Sequence, residues 1–413
     1  MKVLLCHNYY RHRGGEDFSF EQEAQILRSH GHDVIEYTIS NDQIPDLGKL
    51  ALTAKTFWNR QSYREVFELM KHHKPVVMHC TNTFPLLSPS IYQAAKQFRV
   101  PVLQALRNYR LICPGSLLHR QGEACHQCVR KFVPVAAIRH GCYRKDRLAT
   151  GVLSAMLATH RLFGTWKNRV TAYYTPTEFA RQRFLDAGFA PERIHVKPNF
   201  VASPIPVGSG DGNYFIFVGR LTVEKGIRQL LSAWQKVSGN CGLHFIGAGP
   251  LSADINEAAK SDSRIRWLGE LPNEEVLSRI ARARALVFPS LWYETFGRCI
   301  AEAFSVGTPV ITTQDGAMAE LVRDQHDGVL YPAKNVELLA AALQSFSKDC
   351  SDRKAFRKNA FETYRARFTP AQNYKMLLDI YHKIGVNGID DNEALPKDQR
   401  SEDACRKSAE AIL

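Results

Sequence analysis

Apolar residues recur along this chain in two rhythms that take turns. Short unbroken runs, such as Val3-Leu4-Leu5-Cys6, Ala172-Tyr173-Tyr174 and Ala285-Leu286-Val287-Phe288, have the length of buried strands. Between them lie polar stretches with apolar residues at helical spacing, as with Ile300 and Phe304 in the run Gly297 to Ser305. The first half predicts strands at 2–6, 33–37, 76–80, 100–106, 172–175 and 194–196. The second predicts them at 214–218, 243–246, 266–269, 285–288 and 310–312. Strands alternating with helices indicate an α/β protein with parallel sheets.

A Pro-, Gly- and Ser-rich stretch from Val201 to Asn213 divides the two series. At 413 residues the chain is too long for a single core. The expected organisation is an N-terminal Rossmann-like domain over 1–200 with an insertion at about 107–169, and a second domain over 213–366. Residues 386–413 are polar and read as a loose tail.

Composition narrows the class. Hydrophobic content of 45% and charged content of 23% belong to a globular protein. No apolar run reaches the roughly 18–20 residues that span a bilayer. The N-terminal run is too short for a signal peptide, so the expected compartment is the cytoplasm, with the ten cysteines mostly reduced. The net charge of +13 is lopsided: residues 1–200 carry 28 basic and 15 acidic side chains, a difference of +13, and 201–413 carry 26 of each. Within 101–170 the ratio is 12 to 2, a difference of +10. Such a field marks a partner surface, with anionic lipid, a lipid diphosphate or nucleic acid all compatible, or else a merely solvated basic face.

Candidate chemistry concentrates in the second half. Glu294 stands in a loop after a strand, and Glu302, after seven intervening residues, stands in the following helix. They flank a helix N-terminus, whose free N–H groups and partial positive charge suit phosphate. Glu302 has the acceptors for two neighbouring ribose hydroxyls. Upstream, Gly219-Arg220-Leu221-Thr222-Val223-Glu224-Lys225-Gly226 puts two cations at another helix start beyond a strand. The pair would neutralise a diphosphate leaving group.

These segments, with Phe296-Gly297, Gly307 and Thr308-Pro309, resemble the E-x7-E signature of retaining glycosyltransferases of family 4 (group 1). The resemblance implies the GT-B fold, two Rossmann-like domains facing across a cleft, with a C-terminal helix at about 370–385 completing the first. It implies a sugar moved from a nucleotide-diphosphate donor to a glycan or lipid-linked acceptor, as in surface polysaccharide or glycolipid synthesis. By resemblance Arg220, Lys225 and Glu294 serve catalysis. The donor site adds Gly14, Gly15, Gly247, Gly249, Leu268, Phe296, Gly297 and Glu302. No metal-binding Asp-x-Asp is needed for catalysis, and the sequence has none. A sugar-nucleotide epimerase or phosphorylase of the same fold is an alternative, as is a basic, Cys-containing nucleic-acid-binding protein.

The first half is less resolved. Arg107 stands where many relatives have a histidine, replacing a titratable group by a fixed cation. Arg107 and Arg110 are both candidates for an acceptor phosphate. Cys113, Cys125, Cys128 and Cys142 have a spacing consistent with a structural zinc site, or with four reduced thiols. Residues 129–169 mix basic residues with Phe132, Val135, Leu162 and Phe163, which suits either helices packed on the sheet or contact with an anionic inner membrane face.

Overall fold

The computed structural model describes residues 1–203, 205–348 and 352–386. Of the expected tail, only Val386 falls among these, and it is buried. The chain forms two compact units. Of the described residues, the first comprises 1–120, 125–198 and 373–386, and the second 121–124 and those within 199–372.

In the first unit the strands are β1 (Lys2–Tyr9), β2 (Asp33–Ser40), β3 (Val77–Cys80), β4 (Val102–Ala105), β5 (His119–Arg120), β7 (Ala172–Thr175) and β8 (Ile194–Val196), and β5 forms a separate two-stranded sheet with β6 (Glu123–Ala124). Six of them make a sheet in the order β2-β1-β3-β4-β7-β8, each pair parallel. β3, β4 and β7 are buried along their whole length, because helices cover both faces. The second unit holds β9 (Tyr214–Val218), β10 (Gly242–Ile246), β11 (Ile265–Trp267), β12 (Leu286–Phe288), β13 (Val310–Thr313) and β14 (Gly328–Tyr331). Its order is β11-β10-β9-β12-β13-β14, again parallel throughout. This is the doubly wound arrangement, in which β9 and β12 are neighbours although the chain travels outward from them in opposite directions. β1 runs three residues beyond its expected end, into His7-Asn8-Tyr9, because β2 pairs with it along eight positions.

The last helix, Pro370–Lys383, packs Leu377, Ile380 and Tyr381 into the core of the first unit against Val3, Leu5 and Val77. A buried ionic cluster joins that helix to the sheet. Glu23, on the helix Gly15–Ser29, meets Arg107 at 2.8 Å and Lys197 at 2.5 Å. Lys197 also donates to Asn373 Oδ1 at 2.9 Å, and Tyr174 donates to Glu23 at 3.0 Å. His79 lies between the hydroxyls of Tyr174 and Tyr381, each 3.0 Å from a ring nitrogen. Burial alone would push the Glu23 carboxyl up. Lys197, Arg107 and His79 outweigh it and hold the group well below the usual carboxylate range. Burial lowers Lys197, with Glu23 opposing. Burial also takes His79 down to about 4, against the pull of Glu23.

Two outcomes follow for stability. Glu23→Gln leaves two buried cations without a carboxylate, so unfolding in urea should show a loss of about 3–5 kcal/mol. His79 is depressed below its unfolded value, so its contribution is complete above about pH 6.5 and lost as pH falls toward 4. That contribution is on the order of 3 kcal/mol. An acid limb beginning near pH 6.5 in wild type should flatten in His79→Gln. His32 and His244, also held down to about 4, will retain part of it.

Candidate functional site

The neighbouring strands β9 and β12 release their chains at the same edge of the second sheet, and three loops meet there. The loop after β9 runs from Gly219 to Gly226, and the loop after β12 from Pro289 to Gly297. Leu291 N donates to Glu224 O at 2.8 Å and fastens the two together. The loop after β10 is fastened to the first by bonds from Leu221 N to Ala248 O (2.9 Å) and Leu251 N to Leu221 O (2.9 Å). These approaches leave no room for side chains. A Cβ on Gly226 (φ +73°) would lie 2.0 Å from the Pro289 carbonyl oxygen. One on Gly247 (φ +125°) would lie 2.1 Å from that of Gly219, and one on Gly249 2.5 Å from that of Leu221.

Within this frame the predicted charges come together. Lys225 is ion-paired with Glu294, which also accepts from Ser290 Oγ at 2.9 Å and Trp292 Nε1 at 2.8 Å. The Lys225 ammonium lies 5.3 Å from the Phe288 ring centroid and 5.7 Å from that of Trp292. Glu302, on the helix Arg298–Ser305, accepts from Arg298 Nε at 2.8 Å. The remaining acceptor capacity of its carboxylate suffices for a vicinal diol. Glu302 lies off the Ile300–Phe304 face as expected, yet it is buried, because every residue from Ile300 to Ser305 is.

Cys299 sits among these groups, donating to Val218 O at 3.4 Å. Burial pushes its thiol up to about 12, and the carboxylates of Glu302 and Glu294 push the same way against Lys225 and Arg298. All four charged groups thus act on one half-buried thiol. Arg220 is an exposed cation on the loop after β9.

Other predicted residues have more structural duties. Phe296 is buried edge-on to Phe368 at 5.8 Å, so its ring belongs to the core. Leu268 N is taken by Phe245 O at 2.9 Å, which leaves its backbone only the carbonyl to offer. Gly297 is the N-cap of the Arg298–Ser305 helix. The sequence reading missed Ser290, Trp292, Arg298 and Cys299. Arg298 was discoverable, standing four residues before Glu302 on a helix. The other three became visible only with the loop folded.

In the first unit the structure corrects the expectation for Arg107. Gly14 N donates to Asp17 Oδ2 at 2.8 Å in a capping box, so this amide already has a partner inside the fold. A Cβ on Gly14 or Gly15 would meet nothing within 4 Å, so no contact inside the protein itself demands glycine at either position. Arg107 belongs to the buried cluster around Glu23, where its charge is already answered. Arg110 differs. Its guanidinium lies 4.3 Å from the Phe84 ring centroid and 5.5 Å from that of Tyr143, and its Nε and Nη1 are buried without a hydrogen-bond partner. Nearby, Glu16 accepts from Asn108 Nδ2 at 2.7 Å and from Tyr10 OH at 2.9 Å.

The four cysteines share a neighbourhood. A Cβ on Gly115 would lie 3.3 Å from Cys142 Cβ and 3.8 Å from Cys113 Sγ. Burial raises the Cys128 thiol to about 11, with Cys113, Cys142 and Cys125 adding to the effect. All four are free thiols. Among the described residues, however, no three His, Cys, Asp or Glu side chains converge closely enough to hold a metal ion.

Residues 204–363 match the family profile of glycosyl transferases group 1. The chain is 26% identical over 362 residues to an uncharacterised protein of the cps region of Klebsiella pneumoniae, covering 78% of this chain and 88% of that one. It is 26% identical over 179 residues to TuaC of Bacillus subtilis, a putative teichuronic acid biosynthesis glycosyltransferase, covering 43% and 44%. Among solved structures it resembles Anabaena HepE in complex with UDP (TM-score 0.64, 15% identity, 92% and 100% covered). It also resembles sucrose-phosphate synthase of Thermosynechococcus elongatus (TM-score 0.68, 15% identity, 93% and 99% covered). The two six-stranded parallel units are those of the GT-B fold.

The glycines give a clean contrast. Gly226→Ala and Gly247→Ala should each lower stability by about 2 kcal/mol or more, since backbone must move to admit the methyl group. Gly14→Ala should cost no more than about 1 kcal/mol, the difference between glycine and alanine as N-caps. Thermal unfolding of the three variants checks the ranking.

Proposed function

We propose that this chain, a glycosyltransferase whose residues 204–363 are the group 1 domain, moves a sugar from a nucleoside-diphosphate donor to a glycan or lipid-linked acceptor in surface polysaccharide synthesis. The observation that carries the donor reading is the two ion pairs, Lys225 with Glu294 and Arg298 with Glu302, on the loops and helix that follow β9 and β12 at the switch point of the second sheet. Glu302 takes the ribose diol. Arg220 and Lys225 face the diphosphate, and Glu294 orients Lys225 while standing beside the donor sugar. The start of the helix Arg298–Ser305 adds partial positive charge.

As the bond from the anomeric carbon to the diphosphate oxygen breaks, negative charge grows on the leaving group. Fixed cations stabilise it there more than in the ground state. The acceptor oxygen bonds to the same carbon, and its proton passes to the departing phosphate oxygen. This sequence delivers the acceptor on the face that the diphosphate leaves, so the anomeric configuration is retained.

The names of similar proteins support the setting. HepE is described in complex with UDP, TuaC with teichuronic acid biosynthesis, and the Klebsiella relative with a cps region. Among the described residues no helix is long and apolar enough to cross a membrane, and work at the cytoplasmic face of one is part of the same reading. On the acceptor side Arg110 is the better candidate of the two arginines. Two of its nitrogens lack partners, and the flanking rings of Phe84 and Tyr143 hold its plane.

A saturating nucleoside diphosphate should raise the melting temperature by several degrees, the effect of roughly 2–3 kcal/mol of linkage at a hundredfold excess over Kd. Arg220→Ala should remove most of that shift while the ligand-free protein melts as before, because Arg220 is exposed. Glu302→Ala should remove the shift too. If UDP, GDP and ADP all leave the melting curve unmoved, the donor assignment fails. Slow hydrolysis across a panel of sugar nucleotides would identify the donor. Arg110→Gln should leave that hydrolysis unchanged and raise the KM for the acceptor about tenfold or more, the loss of one charge-assisted contact.

A further inference from the structure

Away from the donor site, the first unit contains a cavity of about 630 Å3. Its walls come mainly from residues 164–168 and 187–193, the segments that lead into β7 and β8, with Leu111, Ile112 and residues 130–132 closing it. Trp166, Tyr173 and Phe189 give it an aromatic lining. Around them stand Arg130, Lys131, Arg161, Lys167 and Arg193, with Glu192 as the acid of the lining. Three of these cations are held in place by backbone carbonyls. Arg161 donates to the carbonyls of Leu111 (2.8 Å), Lys131 (2.6 Å) and Phe132 (3.0 Å). Arg193 donates to those of Lys167 (2.7 Å), Val170 and Thr171 (3.1 Å), and Arg130 to that of Asp186 (2.5 Å). A carbonyl fixes a guanidinium without cancelling its charge. Lys131 and Lys167 are exposed at the margin.

The same place carries an apolar surface. Among the described residues twelve large hydrophobic side chains are exposed, and six of them fall within residues 132–163. Phe132 lines the cavity itself. Leu162 and Phe163 sit between the lining residues Arg161 and Gly164, and they are 71% and 65% exposed. A nucleic-acid surface would engage the cations and leave these side chains in water. The boundary of an anionic bilayer engages both, with phosphates against the cations and acyl chains against the protruding side chains.

We propose that this cavity receives the phosphate headgroup of an anionic membrane lipid while Phe132, Leu162 and Phe163 enter the acyl layer, which holds the chain on a membrane surface. The proposal rests on the functional reading only for the idea of a membrane-borne acceptor. Its residues belong to neither the donor site nor the Arg110 site.

The test is flotation of the full chain with phosphatidylcholine vesicles, with and without phosphatidylglycerol. Wild type should float with the phosphatidylglycerol vesicles and stay behind with the neutral ones. Replacing Lys131→Gln and Lys167→Gln together should lower partitioning roughly 25-fold, about fivefold per lysine near an anionic surface. Leu162→Ser with Phe163→Ser should lower it comparably at unchanged charge, and both sites are exposed enough for the fold to survive. Equal flotation with neutral vesicles would overturn the proposal, as would full binding by either double variant. Binding of short duplex DNA that competes with vesicles and ignores Leu162→Ser/Phe163→Ser would point to nucleic acid instead. Thermal stabilisation by nucleoside diphosphate should persist in both double variants, and Arg220→Ala should still float, so the membrane and donor readings can fail separately.

Discussion

The close contact between backbone loops at the edge of the second sheet is the constraint on which the cluster of charges there depends. Gly226 lies on the carbonyl of Pro289 and Gly247 on that of Gly219, at separations only glycine tolerates. The first contact brings the loop bearing Lys225 against the loop bearing Glu294, and the second fastens the loop after β10 to the loop after β9. The first exists because β9 and β12 are adjacent in space while their connections leave in opposite directions. A charged pair at such an edge is pre-oriented by the sheet and costs little reorganisation when a ligand's charge appears.

The first unit solves a different problem. Its last helix must return from the far end of the sequence and dock on the sheet. Apolar packing by Leu377, Ile380 and Tyr381 contributes part of the contact. Lys197 to Asn373 and His79 to Tyr381 add directional hydrogen bonds from the buried cluster around Glu23 to the helix, which apolar packing alone does not provide. Arg107 is engaged by Glu23 and Tyr174 inside the fold, whereas Arg110 keeps two buried nitrogens without hydrogen-bond partners. The two arginines are three residues apart and chemically identical. Burial and the placement of Glu23 separate their roles.

The insertion between β4 and β7 combines positive charge, exposed apolar side chains and a cavity. Each feature alone is ordinary on a protein surface. Together they form a surface with two solvents to satisfy, and the backbone carbonyls that hold Arg161 and Arg193 keep the charge fixed at that boundary.

Much of this was legible in the residues themselves. Buried parallel strands are runs of apolar residues, so Ala172–Thr175, Ile194–Val196 and Tyr214–Val218 could be bounded to the residue from pattern alone. Arg220, Lys225 and Glu294 on loops and Glu302 on the following helix were singled out by their resemblance to a family signature, which is local in sequence. The tertiary structure decided what depends on contacts distant in sequence. Only there does Arg107 find Glu23, 84 residues away, and lose its candidacy as a ligand. Only there do Ser290 and Trp292 turn toward Glu294, and Cys299 take its place among four charges. Periodicity determines which faces are buried. It cannot name the partners that fill them, because partner choice is settled by the packing of the whole sheet.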